Sequence, residues 1–311
     1  MKKVKAFFAL VRWPNLVFIA LTQYLFFYAV LYPVYERQQV TPNLNFLYLT
    51  LLMLSSVFIA GAGNIINDYF DLNIDVINKP GKVIIGKYIH RHWAISSHIV
   101  LSILGVAIGF YLDRKADTYF IGLTNLGCAV LLFVYSIVLK RKPLSGNIVI
   151  SLLTAWTVGV VTFAETKTLI AGFSEAHVAT ITRVTILYVS FAFIISLVRE
   201  MIKDMEDMEG DRRYNCRTFP ILFGIPASKI FIYIWLFILI GLLLILLFYI
   251  LQFRWWLGMA YIVVFVIAPL VSAYKAVNRA GSPKDFHEAS SLVKTVMLTG
   301  ICSMMFFWYY H

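Results

Sequence analysis

The sequence is poor in charge and in cysteine. Only 14% of its 311 residues are charged and 60% are hydrophobic, a balance that excludes an ordinary soluble domain. The three cysteines, Cys128, Cys216 and Cys302, are scattered and form no CxxC pair, so we predict neither a disulfide framework nor a cysteine metal site. The six histidines show no spacing typical of a zinc or haem site.

Apolar runs of about 20 residues recur along the chain, each long enough to cross a hydrocarbon core as a helix. No low-complexity tract or linker divides them. We therefore predict an all-α membrane protein, a single domain over residues 1–311, in which nine transmembrane helices form one bundle around a central cavity. The predicted spans are 14–34, 46–66, 95–112, 118–139, 148–166, 183–200, 228–251, 255–275 and 292–310.

Acidic residues are scarce beside basic ones, 16 against 27, and the net charge of +11 invites a nucleic-acid interpretation. The positions of the basic residues argue against nucleic acid as a partner. With the N-terminus inside, the nine spans place 21 of the 27 on the cytoplasmic side, as the positive-inside rule requires. The charge therefore predicts a multi-pass protein of the cell inner membrane with a cytoplasmic N-terminus, and leaves some cations for an anionic ligand. The exceptions are Arg37, Arg114, Lys115, Lys167, Arg183 and Arg254.

Two clusters of aspartate interrupt this apolar background. One follows the second predicted span and the other follows the sixth, so both cap the bundle on the cytoplasmic side. In each cluster the carboxylates are spaced i, i+3 and i+7, which places them on one helical face. The clusters are Asp68, Asp71 and Asp75, and Asp204, Asp207 and Asp211.

Aspartates at the end of a span are often no more than the solvated rim where a helix meets water. Here they follow the C-terminal ends of helices, where the helix dipole disfavours each anion by about 0.3–1 kcal/mol. Clustered carboxylates also destabilise one another. Because this arrangement occurs twice, it indicates a compensating ligand. Mg²⁺ fits, since it takes one or two carboxylates together with phosphate oxygens.

Neighbouring side chains complement such a ligand. Lysine and arginine can pair with a phosphate, although at span ends they often serve only topology. The asparagine oxygens can join a metal site, or the amides can hydrogen-bond between helices. A tyrosine ring can face an allylic cation, or it can be an interface residue. The candidate substrate-binding residues are Asn64, Asn67, Tyr135, Lys140, Lys203 and Arg212.

The residue patterns of these motifs are specific. Residues 67–75 contain the pattern NDxxDxxxD, and residues 204–211 end in DxxxD with a further aspartate upstream. Residues 78–86 contain a Lys-Pro and a glycine where a relative would have RPxxxG, and residues 218–224 read T-x-P-x-x-x-G. Together they resemble the UbiA superfamily of intramembrane prenyltransferases, and the resemblance spans nearly the whole chain.

The resemblance implies an enzyme that transfers a polyprenyl group, such as geranylgeranyl, from its diphosphate to a lipophilic acceptor through an allylic carbocation. It implies two Mg²⁺ ions held between the motifs, with all six aspartates as metal ligands and catalytic residues. The second motif is most similar to the branch that prenylates glycerol-phosphate acceptors. Aromatic acceptors such as 4-hydroxybenzoate or a naphthoate, the prenyl chain length and the oligomeric state all stay open.

Two other interpretations compete with this enzyme. A membrane transporter could use twin acidic motifs as cation sites on an ion path. The carboxylates, however, are predicted at one membrane face rather than at the midplane. A non-catalytic lipid-binding relative is the third interpretation, and the presence of all six aspartates argues against it.

Overall fold

The computed structural model describes residues 2–310, and its regular structure is helical. Within those residues the only pairing of the sheet type is an isolated bridge between Ile85 and Ile89. The helices in chain order are α1 (Lys2–Leu10), α2 (Trp13–Arg37), α3 (Phe46–Phe70), α4 (Leu72–Asn78), α5 (Arg91–Lys115), α6 (Ile121–Ile137), α7 (Ser145–Ala164), α8 (Thr166–Gly172), α9 (Glu175–Glu206), α10 (Met208–Arg213), α11 (Phe219–Leu251), α12 (Trp256–Arg279) and α13 (Pro283–Tyr310).

Eight of these helices, α2, α3, α5, α7, α9, α11, α12 and α13, are long and apolar enough to cross a membrane. This confirms the predicted all-α membrane protein. Each of the nine predicted spans overlaps one helix, but the fourth corresponds to α6, which has only 17 residues. At 1.5 Å per residue α6 is about 26 Å long, slightly less than the hydrocarbon core of a typical bilayer. The count of nine spans therefore stays a prediction.

Each aspartate motif lies where a long helix breaks into a short one. Helix α3 ends before Asp71 and α4 begins after it, while Asp207 separates α9 from α10 in the same way. The two aspartates share nearly the same backbone, with φ −88° and ψ 0° at Asp71 and φ −95° and ψ 5° at Asp207. Each motif therefore occupies two helices rather than the single helical face that the spacing predicts.

The helix α11 begins earlier than predicted and carries a kink. Residue 219 is its first, whereas the predicted span starts at 228. Gly224 has φ 81°, a conformation that favours glycine, and it is followed by Pro226, which lacks the N–H that a regular helix uses. The segment 219–224, which lies outside the predicted span, is thus a helical turn set at an angle to the rest of α11.

The opposite end of the bundle is closed by a buried acid. Glu165, which joins α7 to α8, is fully buried and accepts hydrogen bonds from the amide of Leu44 at 2.7 Å and the amide of Asn43 at 3.1 Å. The hydroxyl of Tyr35 donates a third at 3.1 Å. The loop between α2 and α3 is therefore pinned to the α7–α8 corner, far along the chain from either aspartate motif.

Candidate active site

A cavity of about 330 Å³ lies between the helix ends that carry the two motifs. Two aspartates from each motif line it, Asp71 and Asp75 from the first and Asp204 and Asp207 from the second. Farther in, the wall is largely apolar and aromatic, and includes Leu132, Leu153, Trp156, Phe191, Ile195 and Met304. The cavity therefore offers an acidic mouth that continues into an apolar interior.

The first motif is surrounded by basic side chains. Asp68 accepts a 2.6 Å hydrogen bond from the guanidinium of Arg12, which stands at the joint between α1 and α2. Asp71 is buried and forms an ion pair with Lys140. Burial and the neighbouring Asp71 raise the pKa of Asp75 to about 6, because both disfavour its charged form.

The second motif repeats this pattern with different partners. Asp204 accepts a hydrogen bond from the Asn147 side chain at 2.8 Å, and Asp207 forms an ion pair with Lys79 at 2.6 Å. Asp211 is buried, and burial raises its pKa to about 6 although Lys140 acts in the opposite direction. Lys140 therefore interacts electrostatically with both motifs.

One asparagine bridges the two motifs directly. The Asn78 side chain, at the end of α4, donates to the backbone carbonyl of Asp207 at 2.9 Å and accepts from the amide of Gly210 at 2.8 Å. A Cβ atom at position 210 would lie 2.6 Å from the Asn78 carboxamide, which is too close. Glycine at 210 is thus what lets α4 and α10 approach each other.

The donor set suits a hard divalent cation, although the carboxylates stand apart. Within residues 2–310 no three His, Cys, Asp or Glu side chains form a ready-made metal group. Each motif nevertheless contributes a buried acceptor oxygen without a hydrogen-bond partner, Asn67 Oδ1 and Asp207 Oδ1. Buried orphan acceptors are unfavourable, and carboxylate and amide oxygens are typical Mg²⁺ ligands. The residues present fit Mg²⁺ ions that complete their coordination with phosphate oxygens.

Comparison with known proteins now decides the family. The sequence profile of the UbiA prenyltransferase family matches residues 25–308, which is most of the chain. The chain belongs to the UbiA prenyltransferase family. Membership supports the enzyme over the transporter, which has no comparable support.

Two curated relatives of this UbiA protein carry the same name. Digeranylgeranylglyceryl phosphate synthase of Methanosphaera stadtmanae is 31% identical over 254 residues, covering 79% of this chain and 83% of the relative. The enzyme of the same name from Methanobrevibacter smithii is 34% identical over 249 residues, covering 80% and 82%.

Solved structures show the same fold. A structure of a digeranylgeranylglyceryl phosphate synthase superposes with a TM-score of 0.61 at 22% identity, over 98% of this chain and 99% of that one. A UbiA homologue from Archaeoglobus fulgidus bound to DMAPP and Mg²⁺ gives a TM-score of 0.59 at 17% identity, over 96% and 98%. At these identities the likeness is evidence of fold alone.

The structure brings most of the predicted site residues to the cavity of this UbiA protein. Asp68 and Asp211 do not line it, but Asp68 pairs with Arg12, which does. Arg212 is exposed and lies outside the lining. The predicted residues in the wall are Asn64, Asn67, Asp71, Asp75, Tyr135, Lys140, Lys203, Asp204 and Asp207.

Two of these residues have hydrogen-bond or ion-pair partners that differ from the predicted metal or phosphate. The Asn64 amide donates to the carbonyl of Val11 at 2.9 Å, which is the interhelical hydrogen bond weighed as the alternative to metal binding. Lys203 lies 3.2 Å from Glu200 rather than beside an aspartate of either motif.

Sequence reasoning missed four residues that hold the two motifs in place. The sequence places Arg12 and Lys79 only among the basic residues of the cytoplasmic side, and Lys79 also as a departure from an Arg-Pro pattern. Asn78 and Asn147 were given no role, and a pair of amides leaves no periodic signal in a sequence. A hint existed for Lys79, because it stands in the segment that follows the first motif in the family pattern.

Proposed function

We propose that this protein transfers a geranylgeranyl group from geranylgeranyl diphosphate to geranylgeranylglyceryl phosphate in a Mg²⁺-dependent reaction. The products are diphosphate and digeranylgeranylglyceryl phosphate, the compound for which the curated relatives are named. One observation carries the proposal: both aspartate motifs face a single cavity that continues into an apolar interior. Such a cavity suits a substrate with an anionic head and a long hydrocarbon tail.

The aspartates of both motifs, with Asn67, would hold two Mg²⁺ ions at the mouth of the cavity. Bound there, Mg²⁺ would neutralise the diphosphate and make it a better leaving group. Around it, Lys140, Lys79 and Arg12 already hold the aspartates as ion pairs. These cations are placed to turn from an aspartate to a phosphate oxygen and to offset the charge of the departing diphosphate.

The reacting carbon would lie just inside the acidic mouth. Breaking its bond to the diphosphate leaves an allylic cation, which the ring of Tyr135 in the wall can stabilise through its π face. The acceptor hydroxyl oxygen then forms the new C–O bond, and its proton passes to the departing diphosphate. Apolar side chains such as Leu132 and Ile195 hold the prenyl tail and exclude the water that would otherwise trap the cation.

The mouth of the cavity would open on the cytoplasmic side of the cell inner membrane. This orientation is supported by the excess of basic residues on the predicted cytoplasmic side. Both substrates are amphiphiles, so they can reach the site from the inner leaflet without leaving the bilayer.

The test uses protein purified in lipid nanodiscs, given geranylgeranyl diphosphate, geranylgeranylglyceryl phosphate and Mg²⁺. We expect a product with the mass of digeranylgeranylglyceryl phosphate, and no product after chelation with EDTA. Parallel reactions with 4-hydroxybenzoate and a naphthoate test the aromatic acceptors. Transfer to an aromatic acid with none to the glyceryl phosphate would refute the proposed acceptor, and transfer that persists in EDTA would refute the metal dependence.

A further inference from the structure

A second group of cations lines the cavity and is not paired with the aspartate motifs. We name Arg199, Lys203 and Lys294 the α9–α13 cation cluster, because the first two lie on α9 and the third on α13. Arg199 and Lys294 are close enough for their positive charges to repel each other. Like charges gathered at a cavity wall are unfavourable unless an anion is bound between them.

The donors of this cluster are incompletely used. Glu200 is shared, lying 3.2 Å from both Arg199 and Lys203. The Nε atom of Arg199 is buried without a hydrogen-bond partner. Lys294 donates to the neutral side-chain oxygen of Asn15 at 3.0 Å, and it forms no ion pair among residues 2–310. N–H donors of the Arg199 guanidinium and of the Lys294 ammonium group thus remain for a ligand.

The charge of the cluster matches a single phosphate monoester. Three cations stand against the one carboxylate of Glu200, and the nearby Arg12 is neutralised by Asp68, which leaves an excess of two positive charges. A phosphate monoester carries about −1.5 to −2 near pH 7. The ligand class is therefore a phosphate monoester rather than a carboxylate, whose single charge would leave the cluster uncompensated.

The position of the cluster separates it from the donor diphosphate. Arg199 precedes Asp204 by five residues and Asp207 by eight, which is about 7.5 and 12 Å along the helix axis. Lys294 lies on α13, which carries neither motif, and among residues 2–310 neither Arg199 nor Lys294 forms an ion pair with a motif aspartate. The cluster nevertheless lines the same cavity, so a ligand held there lies beside the reacting carbon of the donor.

From these observations we infer that the α9–α13 cation cluster binds the phosphate of the lipid acceptor and so selects phosphorylated glycerol lipids over uncharged ones. The inference rests on the proposed function. In glycerol phosphate lipids the free hydroxyl and the phosphate are on neighbouring carbons. Holding the phosphate at Lys294 and Arg199 thus orients the hydroxyl toward the donor at the aspartate end.

The experiment removes the charge from the protein and from the acceptor separately. Wild type and Lys294→Gln are assayed with geranylgeranylglyceryl phosphate and with geranylgeranylglycerol, which lacks the phosphate. We expect Lys294→Gln to lower kcat/KM about 10- to 100-fold for the phosphorylated acceptor, mainly through KM. With the uncharged alcohol it should change kcat/KM by less than about twofold, and the KM for the donor should stay the same.

The matched control is Lys284→Gln, which removes an exposed lysine from the same helix and should change neither reaction. Equal losses with both acceptors, or a loss confined to the donor KM, would overturn the inference. If the wild type does not turn over the alcohol measurably, the two KM values of Lys294→Gln decide the question. A rise in the acceptor KM alone supports the inference, and a rise in the donor KM overturns it. Absence of transfer by the wild type to either acceptor would refute the proposed function instead.

Discussion

The two ends of the bundle bury carboxylates in opposite ways. At the closed end, Glu165 accepts hydrogen bonds from neutral donors, among them two backbone amides and the hydroxyl of Tyr35. At the open end, the aspartates lie beside one another and beside lysine and arginine, and Asp207 keeps a buried oxygen without a partner. The first acid is fully satisfied by the protein, whereas the second group is not.

This difference separates a structural acid from a set of ligands. A buried polar group that is completely hydrogen-bonded stabilises the fold, and one left incomplete is unfavourable until something binds it. We therefore expect mutations at the closed end to change the free energy of unfolding. Mutations at the open end should change turnover and leave folding intact.

The largest effect is expected from Asp71→Ala or Asp207→Ala. Each removes a carboxylate from the shared mouth, and Mg²⁺-dependent turnover should fall by at least about 1,000-fold. The thermal unfolding midpoint without ligand should change little, because the loss of a crowded carboxylate is offset by the loss of its ion pair with Lys140 or Lys79. Initial rates and thermal unfolding of the same preparations measure both quantities. Full activity in both variants would contradict the assignment of these aspartates.

The converse change is Glu165→Ala at the closed end. It leaves the buried amide of Leu44 and the partly buried amide of Asn43 without this acceptor, and an orphaned buried donor costs about 1–3 kcal/mol. We expect the free energy of unfolding to fall by about 2–5 kcal/mol, while the KM of both substrates changes by less than about twofold. Denaturant titration in mild detergent provides the measurement. A variant as stable as the wild type but inactive would break the proposed division between the two ends.

The open end should also respond to pH. The pKa values of Asp75 and Asp211 are raised to about 6, so these groups still hold protons at a pH where an ordinary aspartate has lost them. Because Mg²⁺ binding requires the ionised form, apparent Mg²⁺ affinity should fall as the pH drops through 6. At pH 5 each group contributes about a tenfold loss.

The Mg²⁺ concentration that gives half-maximal activity, measured from pH 5 to 8, checks this expectation. Asp75→Asn cannot titrate, and it should make the pH dependence less steep even if it lowers the affinity itself. An unchanged steepness in that variant, or a flat profile in the wild type, would contradict the role of raised pKa values at the open end.

The smallest expected effect is that of Gly210→Ala. The added Cβ would displace the Asn78 side chain, which links the two motifs, and kcat should fall about tenfold with the protein still folded. Gly241→Ala is the matched control, since a Cβ there meets no atom within 4 Å. Asn78→Ala in the Gly210→Ala background should add little, because both changes break the same contact.

Periodicity and charge in the sequence predict much of this molecule. Runs of apolar residues locate the helices to within a few residues at most ends, because a bilayer demands continuous hydrophobic segments. The starts of α9, α11 and α13 are the exceptions, since each helix begins eight or nine residues before the predicted span. At α11 the turn from Phe219 to Gly224 is too short and too interrupted by Pro220 to stand out. The repeated aspartates likewise indicate the site, since clustered acids in an apolar chain need a reason.

The partners of those aspartates could not be predicted, because they come from distant parts of the chain. Asp207 meets Lys79 across 128 positions, and Asp68 meets Arg12 across 56. The break at Asp71 was missed for a different reason. A residue near φ −88° and ψ 0° keeps a local helical spacing even where the regular helix has ended.

The most direct test of the account is a double-mutant cycle on Mg²⁺-dependent affinity for an unreactive thiolo analogue of geranylgeranyl diphosphate. Affinity is measured for the wild type, Asp71→Ala, Asp207→Ala and the double variant. If both motifs act on one diphosphate, each single variant should lose nearly as much affinity as the double variant. Losses that simply add would mean that the two motifs bind independently, and would contradict the shared site.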